Sequence, residues 1–245
     1  MQRAGALVDV MDALPSALRD RGHEVSVAQP FYREIRENLA LKKKDTGITV
    51  EVQLGDTTHV ARYLESRSAS GVQLFFIRCD EFFDRARIYG ERGKPYEDNA
   101  ARFIFFCKAT LELARRLTPQ LEILHVHDWA PALVPVFVHG HGLPFSTVLT
   151  IHHVADQGSF WGLDFQLTNL PERFFTLHGV EFFGRLNFLK GSPCACTKSG
   201  TNAGAQSCTC RISNCGVNRR ASSTIALQKK MNRAALSSYG LPRSP

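Results

Sequence analysis

Ile123-Leu124-His125-Val126-His127-Asp128-Trp129 and Thr147-Val148-Leu149-Thr150-Ile151-His152-His153 are the two stretches that decide the fold. Each is a short apolar, β-branched run that stops in polar side chains, as a buried strand reaching a sheet edge does. Between them, Ala132 to Val138 reads as a helix. A strand, a helix and a second strand form a crossover unit of a parallel sheet, and such sheets bind ligands where their strands end.

The pattern extends upstream. Asp98 or Asn99 caps a predicted helix running to about Leu117, with Phe103, Phe106, Leu111, Leu113 and Ala114 on its apolar side and Pro119 beyond its end. Leu7, Val10, Met11, Leu14 and Leu18 recur at helical spacing, and Gly22 stops that helix. His23 to Ala28 then alternates as a strand ending at Pro30, and Ile48–Val52 and Val72–Ile77 read as strands that complete a first crossover. The expected class is α/β, with a doubly wound, mostly parallel sheet.

The 245 residues, 44% hydrophobic and 22% charged, exclude fibrous and low-complexity classes and allow a sizeable core. No apolar run approaches the ~20 residues of a membrane helix. The N-terminus carries no secretory pattern, so a cytoplasmic protein without a membrane partner is expected. The net charge of +7 is uneven. Residues 192–245 hold eight Lys/Arg, no Asp or Glu and five of the seven cysteines, but only one of the 24 aromatic residues, Tyr239. The first 191 residues are therefore nearly neutral, and two compositions meet near residue 191.

Of nine histidines, seven fall between residues 125 and 178. A His-x-His-Asp cluster could ligate a metal in a His/Asp hydrolase, but no acidic ligand accompanies the second cluster, and no metal or cofactor is expected. His125 reads as a hydrogen-bonded core residue, and His139-Gly140-His141-Gly142 as a helix end and turn. Asp128 and His152 are the stronger candidates because each ends an apolar strand. Arg3-Ala4-Gly5-Ala6-Leu7 opens the first helix and could hold a phosphate, although such a loop should follow a strand.

Several of these stretches together resemble one family. Arg3-Ala4-Gly5-Ala6-Leu7-Val8-Asp9-Val10, Arg21-Gly22-His23-Glu24-Val25, Tyr96-Glu97-Asp98-Asn99, His127-Asp128-Trp129, Thr150-Ile151-His152 and Leu177-His178-Gly179-Val180-Glu181-Phe182-Phe183-Gly184 resemble, in order and spacing, bacterial glycogen and plant starch synthases. The resemblance covers about residues 3–191. It implies a metal-independent retaining glucosyltransferase moving glucose from ADP-glucose to the non-reducing end of an α-1,4-glucan. It implies a GT-B fold of two Rossmann-like domains, of which residues 1–191 would be the N-terminal, acceptor-side one with its first strand missing. His152 and Asp128 match the catalytic positions, while Arg3, Gly5, Asp9, Tyr96 and Asn99 fall on substrate-binding ones. The sequence departs at Arg3 for the motif lysine, at Ala6 for the second glycine, and at His153 and Asp156 for an asparagine and a tyrosine. Without the family's C-terminal domain, the chain is expected to be inactive alone. An uncovered interdomain face is expected to favour association. The competing expectation is a noncatalytic module that binds glucan or a partner protein.

Residues 192–245 match nothing in that family and read as unstructured and out of frame. Cys194-x-Cys196 and Cys208-x-Cys210 are too closely spaced for usual zinc pairs, and disulfides are not expected in the cytoplasm. The basic run lacks the interleaved aromatics of a nucleic-acid site, so no specific nucleic-acid partner is expected.

Overall fold

The computed structural model describes residues 6–117, 121–196, 208–212 and 225–229. In chain order the elements begin with α1 (Ala6–Asp20), β1 (Glu24–Pro30), α2 (Arg33–Glu37), β2 (Lys44–Leu54), β3 (Thr57–Arg67), β4 (Gln73–Arg78) and α3 (Asp80–Phe83). A two-residue ribbon follows, β5 (Gly90–Glu91) and β6 (Lys94–Pro95), then α4 (Asn99–Leu117), β7 (Ile123–His127), α5 (Leu133–Gly140) and β8 (Ser146–Ile151). Beyond these lie β9 (Ser159–Trp161), β10 (Glu181–Phe182), β11 (Arg185–Asn187), α6 (Phe188–Cys196), β12 (Cys208–Ile212) and β13 (Ile225–Lys229).

Eight strands form one mixed sheet in the order β12-β8-β7-β13-β1-β4-β3-β2, and β10-β11-β9 form a small antiparallel one. Pairing is parallel at β1/β4, β7/β8 and β8/β12 and antiparallel elsewhere in the large sheet. The expected crossover strands are present, but Ile48–Val52 belongs to a hairpin. β2 returns directly as β3 through Gly55-Asp56, and β4 continues the meander. Gly55 sits at φ +55, which suits it to the tight two-residue turn. β3 escapes sequence reading because its inward side is marked only by Ala61 and Tyr63 among polar neighbours.

Two segments of the stretch expected to lack structure are strands here. β12 extends the sheet beyond β8, and β13 lies between β1 and β7, antiparallel to both.

The core is built on α4. Phe103, Ile104, Phe105 and Phe106 are all fully buried, so the helix is covered all round over this turn rather than on one apolar side. A helix of this kind is held between layers. Tyr63 Oη donates to the carbonyl of Ala109 (2.9 Å), joining α4 to the sheet. Lys108 Nζ donates to the carbonyls of Gln53 and Leu167 and to Asn169 Oδ1, joining β2 to the 3₁₀ turn at Gly162–Thr168. Burial lowers the Lys108 ammonium to about 8. On the other flank, Leu133 to Val138 of α5 are wholly buried. Among the described residues, no helix is long and apolar enough to cross a membrane.

Candidate functional site

β7 and β8 run parallel with His127 opposite Thr150, so their polar C-terminal ends emerge side by side. Asp128 follows β7 with φ +57, a left-handed conformation that aspartate tolerates better than most residues. Its backbone N–H donates to the carbonyl of Thr150 (2.9 Å), a last rung between the strands. Its Oδ1 then accepts the N–H groups of His152 (2.6 Å) and His153 (3.1 Å). The carboxylate thus holds the turn that follows β8, and does not cap α5. Burial pushes its carboxyl above the usual range, against the opposing pull of the two backbone donors. Asp128 Oδ2 is buried without a partner.

Three imidazoles line up across the strand ends, His125 stacked on His127 and His127 edge to edge with His152. His125 and His127 lie 4.3 Å apart at 28°, and His127 and His152 lie 5.3 Å apart at 13°. His125 Nε2 bonds Thr150 Oγ1 (2.8 Å), so it is hydrogen-bonded as expected, but it is half-buried rather than a core residue. His127 Nδ1 lies 3.0 Å from His152 Nε2. The nitrogens engage one another and a hydroxyl rather than converging on one point. Among the described residues, no three His, Cys, Asp or Glu side chains are grouped to hold a metal ion.

Burial, reinforced by the neighbouring His125 and His152, holds the His127 imidazole well below its ordinary 6.5. A group that folds with a lowered value contributes fully above its unfolded value and loses that contribution as pH falls. Unfolding free energy is therefore expected to decline below pH 6.5, at up to about 1.4 kcal/mol per pH unit for one group. Urea unfolding at successive pH values should give a shallower acid decline for His127→Asn. His141, also lowered by burial, keeps its share in the variant.

Next to this cluster is a cleft of about 390 Å³ lined by Tyr89, Asn99, Asp128, Trp129, His153 and the segment Ala155–Phe160. Trp129 is its inner wall, packed edge-on to Phe103 (4.9 Å) and tilted against Phe160 (5.7 Å). Gly158, at φ +61, lies on the indole face, where a β-carbon would come within 2.4 Å of Trp129 Cε3. Only glycine permits that approach. His153 Nδ1 and Asp156 Oδ2 pair at 3.3 Å, so the two departures from the family pattern meet each other at the rim.

Of the residues singled out from sequence, Asp128 and Asn99 line the cleft, and the half-buried His152 stands beside it, joined to Asp128 through its backbone. Asn99 spends both ends of its amide on protein, donating to the Tyr89 carbonyl (2.8 Å) and accepting from Arg102 (2.6 Å). Tyr96 is packed between the guanidinium groups of Arg85 (4.7 Å) and Arg102 (5.1 Å) and is not among the lining residues. Arg3 and Gly5 lie outside the described residues, as does the side chain of Asp9, whose backbone is in α1. Sequence reading gave His127, Tyr89 and Gln157 no role at the site. The polar-after-apolar signal was present at both His127 and His152, but nothing local recorded that the two would meet.

A family model described as the starch synthase catalytic domain matches residues 1–202. The chain is 36% identical over 200 residues to glycogen synthase 2 of Geobacter metallireducens and 34% identical over 194 to the glycogen synthase of Opitutus terrae. The first alignment covers 78% of this chain and the second 77%, but each covers 40% of the relative. The chain thus spans well under half the length of these relatives. The catalytic domain of starch synthase IV from Arabidopsis thaliana, solved bound to ADP and acarbose, superposes with a TM-score of 0.68 at 24% identity, over 78% of this chain and 40% of that one. This likeness carries the fold, a mixed α/β domain matching a GT-B catalytic domain. The crossover ending in His-Asp-Trp beside Ile-His lies within a family match that spans most of the chain, and this chain belongs to the family of starch synthase catalytic domains.

Proposed function

We propose that the chain forms the acceptor-side half of a retaining glucosyltransferase that moves glucose from ADP-glucose to the non-reducing end of an α-1,4-glucan, and that this half does not turn over alone. One observation carries the reading: the parallel ends of β7 and β8 bring Asp128 and His152 together at a cleft with an aromatic wall and a polar rim. A pyranose offers an apolar C–H face and a ring of hydroxyls, and such a cleft meets both. His152 would hydrogen-bond a sugar hydroxyl, and the Asp128 carboxylate would hold the turn that presents it. The solved relative's ADP and acarbose support a nucleotide and a carbohydrate on this scaffold.

Titration with maltooligosaccharides should give saturable binding to the chain, and transfer from ADP-glucose to glycogen should be absent until the C-terminal domain of a full-length relative is fused to it. His152→Ala should weaken oligosaccharide binding at least about tenfold, equivalent to about 1.4 kcal/mol. It should change unfolding free energy by less than about 1 kcal/mol, because a half-buried residue beside the cleft contributes little to the core. Equal loss of both would make the histidine structural. Binding without transfer in the fusion would favour the noncatalytic module, a reading supported by how many of the polar groups of Asp128 and Asn99 are already spent on protein.

A further inference from the structure

His127 is 1% exposed and is not one of the residues lining the cleft, yet it makes the one side-chain hydrogen bond found for His152 among the described residues. That bond runs from Nδ1 of His127 to Nε2 of His152, between nearly coplanar rings at 13°. The far nitrogen of His127, Nε2, is buried with no partner.

A neutral imidazole has one N–H and one lone pair, so the proton has two possible arrangements. If His127 carried it on Nε2, a buried N–H would face no acceptor. If His127 carries it on Nδ1, the N–H is satisfied by His152 and only a lone pair is left unmet. Orphaned buried donors are the rarer and more costly defect. The second arrangement requires His152 to accept at Nε2 and therefore to hold its own proton on Nδ1.

We propose that His127 is a positioning residue that fixes the tautomer of His152, so that His152 meets its ligand as an Nδ1–H donor. Packing supports the same end, since the His125 ring stacked on one face of His127 at 4.3 Å restricts its rotation about the bond that aims Nδ1. His127 does not touch the ligand. It acts through the orientation and protonation site of its neighbour, as the second residue of many histidine pairs does. That the ligand is a glucan rests on the function proposed above; the tautomer does not.

The test is nitrogen NMR on the full chain with labelled histidine. In the wild type, His152 Nδ1 should resonate as protonated and Nε2 as unprotonated, with scalar coupling across the bond to His127 Nδ1. His127→Phe keeps a flat buried ring but removes the donor, and the proton on His152 should shift to Nε2. His127→Asn restores an N–H where Nδ1 was, and should return His152 to the Nδ1–H form. Maltooligosaccharide affinity should follow the tautomer, falling at least about tenfold in His127→Phe and recovering in His127→Asn. A wild-type His152 protonated on Nε2, or a tautomer unchanged in His127→Phe, would overturn the proposal. If His127→Phe does not fold, the wild-type coupling and His127→Asn still decide it. Absence of oligosaccharide binding with the expected tautomers would overturn the glucan reading and leave the positioning role standing.

Discussion

Asp128→Ala is expected to lower the unfolding free energy by about 3 kcal/mol, measured by urea denaturation of the full chain. Asp128 is 3% exposed, and its Oδ1 holds the N–H groups of His152 and His153. Each hydrogen bond to a charged group contributes about 1.5–3 kcal/mol, and two buried donors would be left open. Alanine at φ +57 adds about 1 kcal/mol of backbone strain. Against these stands the relief of no longer burying a carboxylate, which keeps the total near the lower end. Asp128→Asn retains the acceptor oxygen and tolerates the left-handed conformation, so it should cost only about 1 kcal/mol. Equal losses in the two variants would show that the acceptor is not what matters.

The comparison with Asp128→Asn also has a pH signature. Burial raises the Asp128 carboxyl above its ordinary 3.8, so the folded protein holds that proton more tightly than the unfolded chain does. The resulting stabilisation is complete below 3.8 and is lost as pH rises through the folded value. The wild type should therefore be most stable relative to Asp128→Asn in acid and lose ground as the carboxyl ionises.

A comparable loss, about 4 kcal/mol, is expected for Arg102→Met. This arginine is fully buried, and its guanidinium serves neutral acceptors rather than a carboxylate. Nε donates to the Phe82 carbonyl (2.7 Å), and Nη1 to the Ile88 carbonyl (2.9 Å) and Asn99 Oδ1 (2.6 Å). Its charge lies over the rings of Tyr96 and Phe103. Burial lowers its pKa. Methionine fills much of the volume but leaves two buried acceptors and a half-buried one unpaired, each buried one costing about 1–3 kcal/mol before relaxation. Lysine, a point donor on a flexible stem, cannot span all three positions and should recover only part of the loss. Because Asn99 in turn holds the Tyr89 carbonyl at the cleft wall, Arg102→Met should also weaken oligosaccharide binding. Unchanged affinity in a folded Arg102→Met protein would mean that this wall stands without the arginine.

Local chemistry made much of this legible. The helix expected from Asp98 or Asn99 to Leu117 is α4, and Ile123–His127 is β7 without adjustment, because apolar spacing and stop signals act over a few residues. The Gly55-Asp56 hairpin turn was equally local, but its following strand carries so few inward apolar residues that the alternation is faint. The exposed side of α4 could not be read at all. Residues 103–106 are apolar in succession, and only layers on both sides explain why each of them is buried.

The sequence by itself determined that polar residues end two apolar strands and that the family's His-Asp-Trp and Ile-His segments are present, since both are properties of contiguous residues. Tertiary structure alone decided what those residues do to one another. The register that sets His127 opposite Thr150 brings His127 to His152 and Asp128 to the backbone of His152 and His153, across 24 or 25 residues of chain. Register and strand order are chosen by which buried faces pack together, a global balance that no local spacing records.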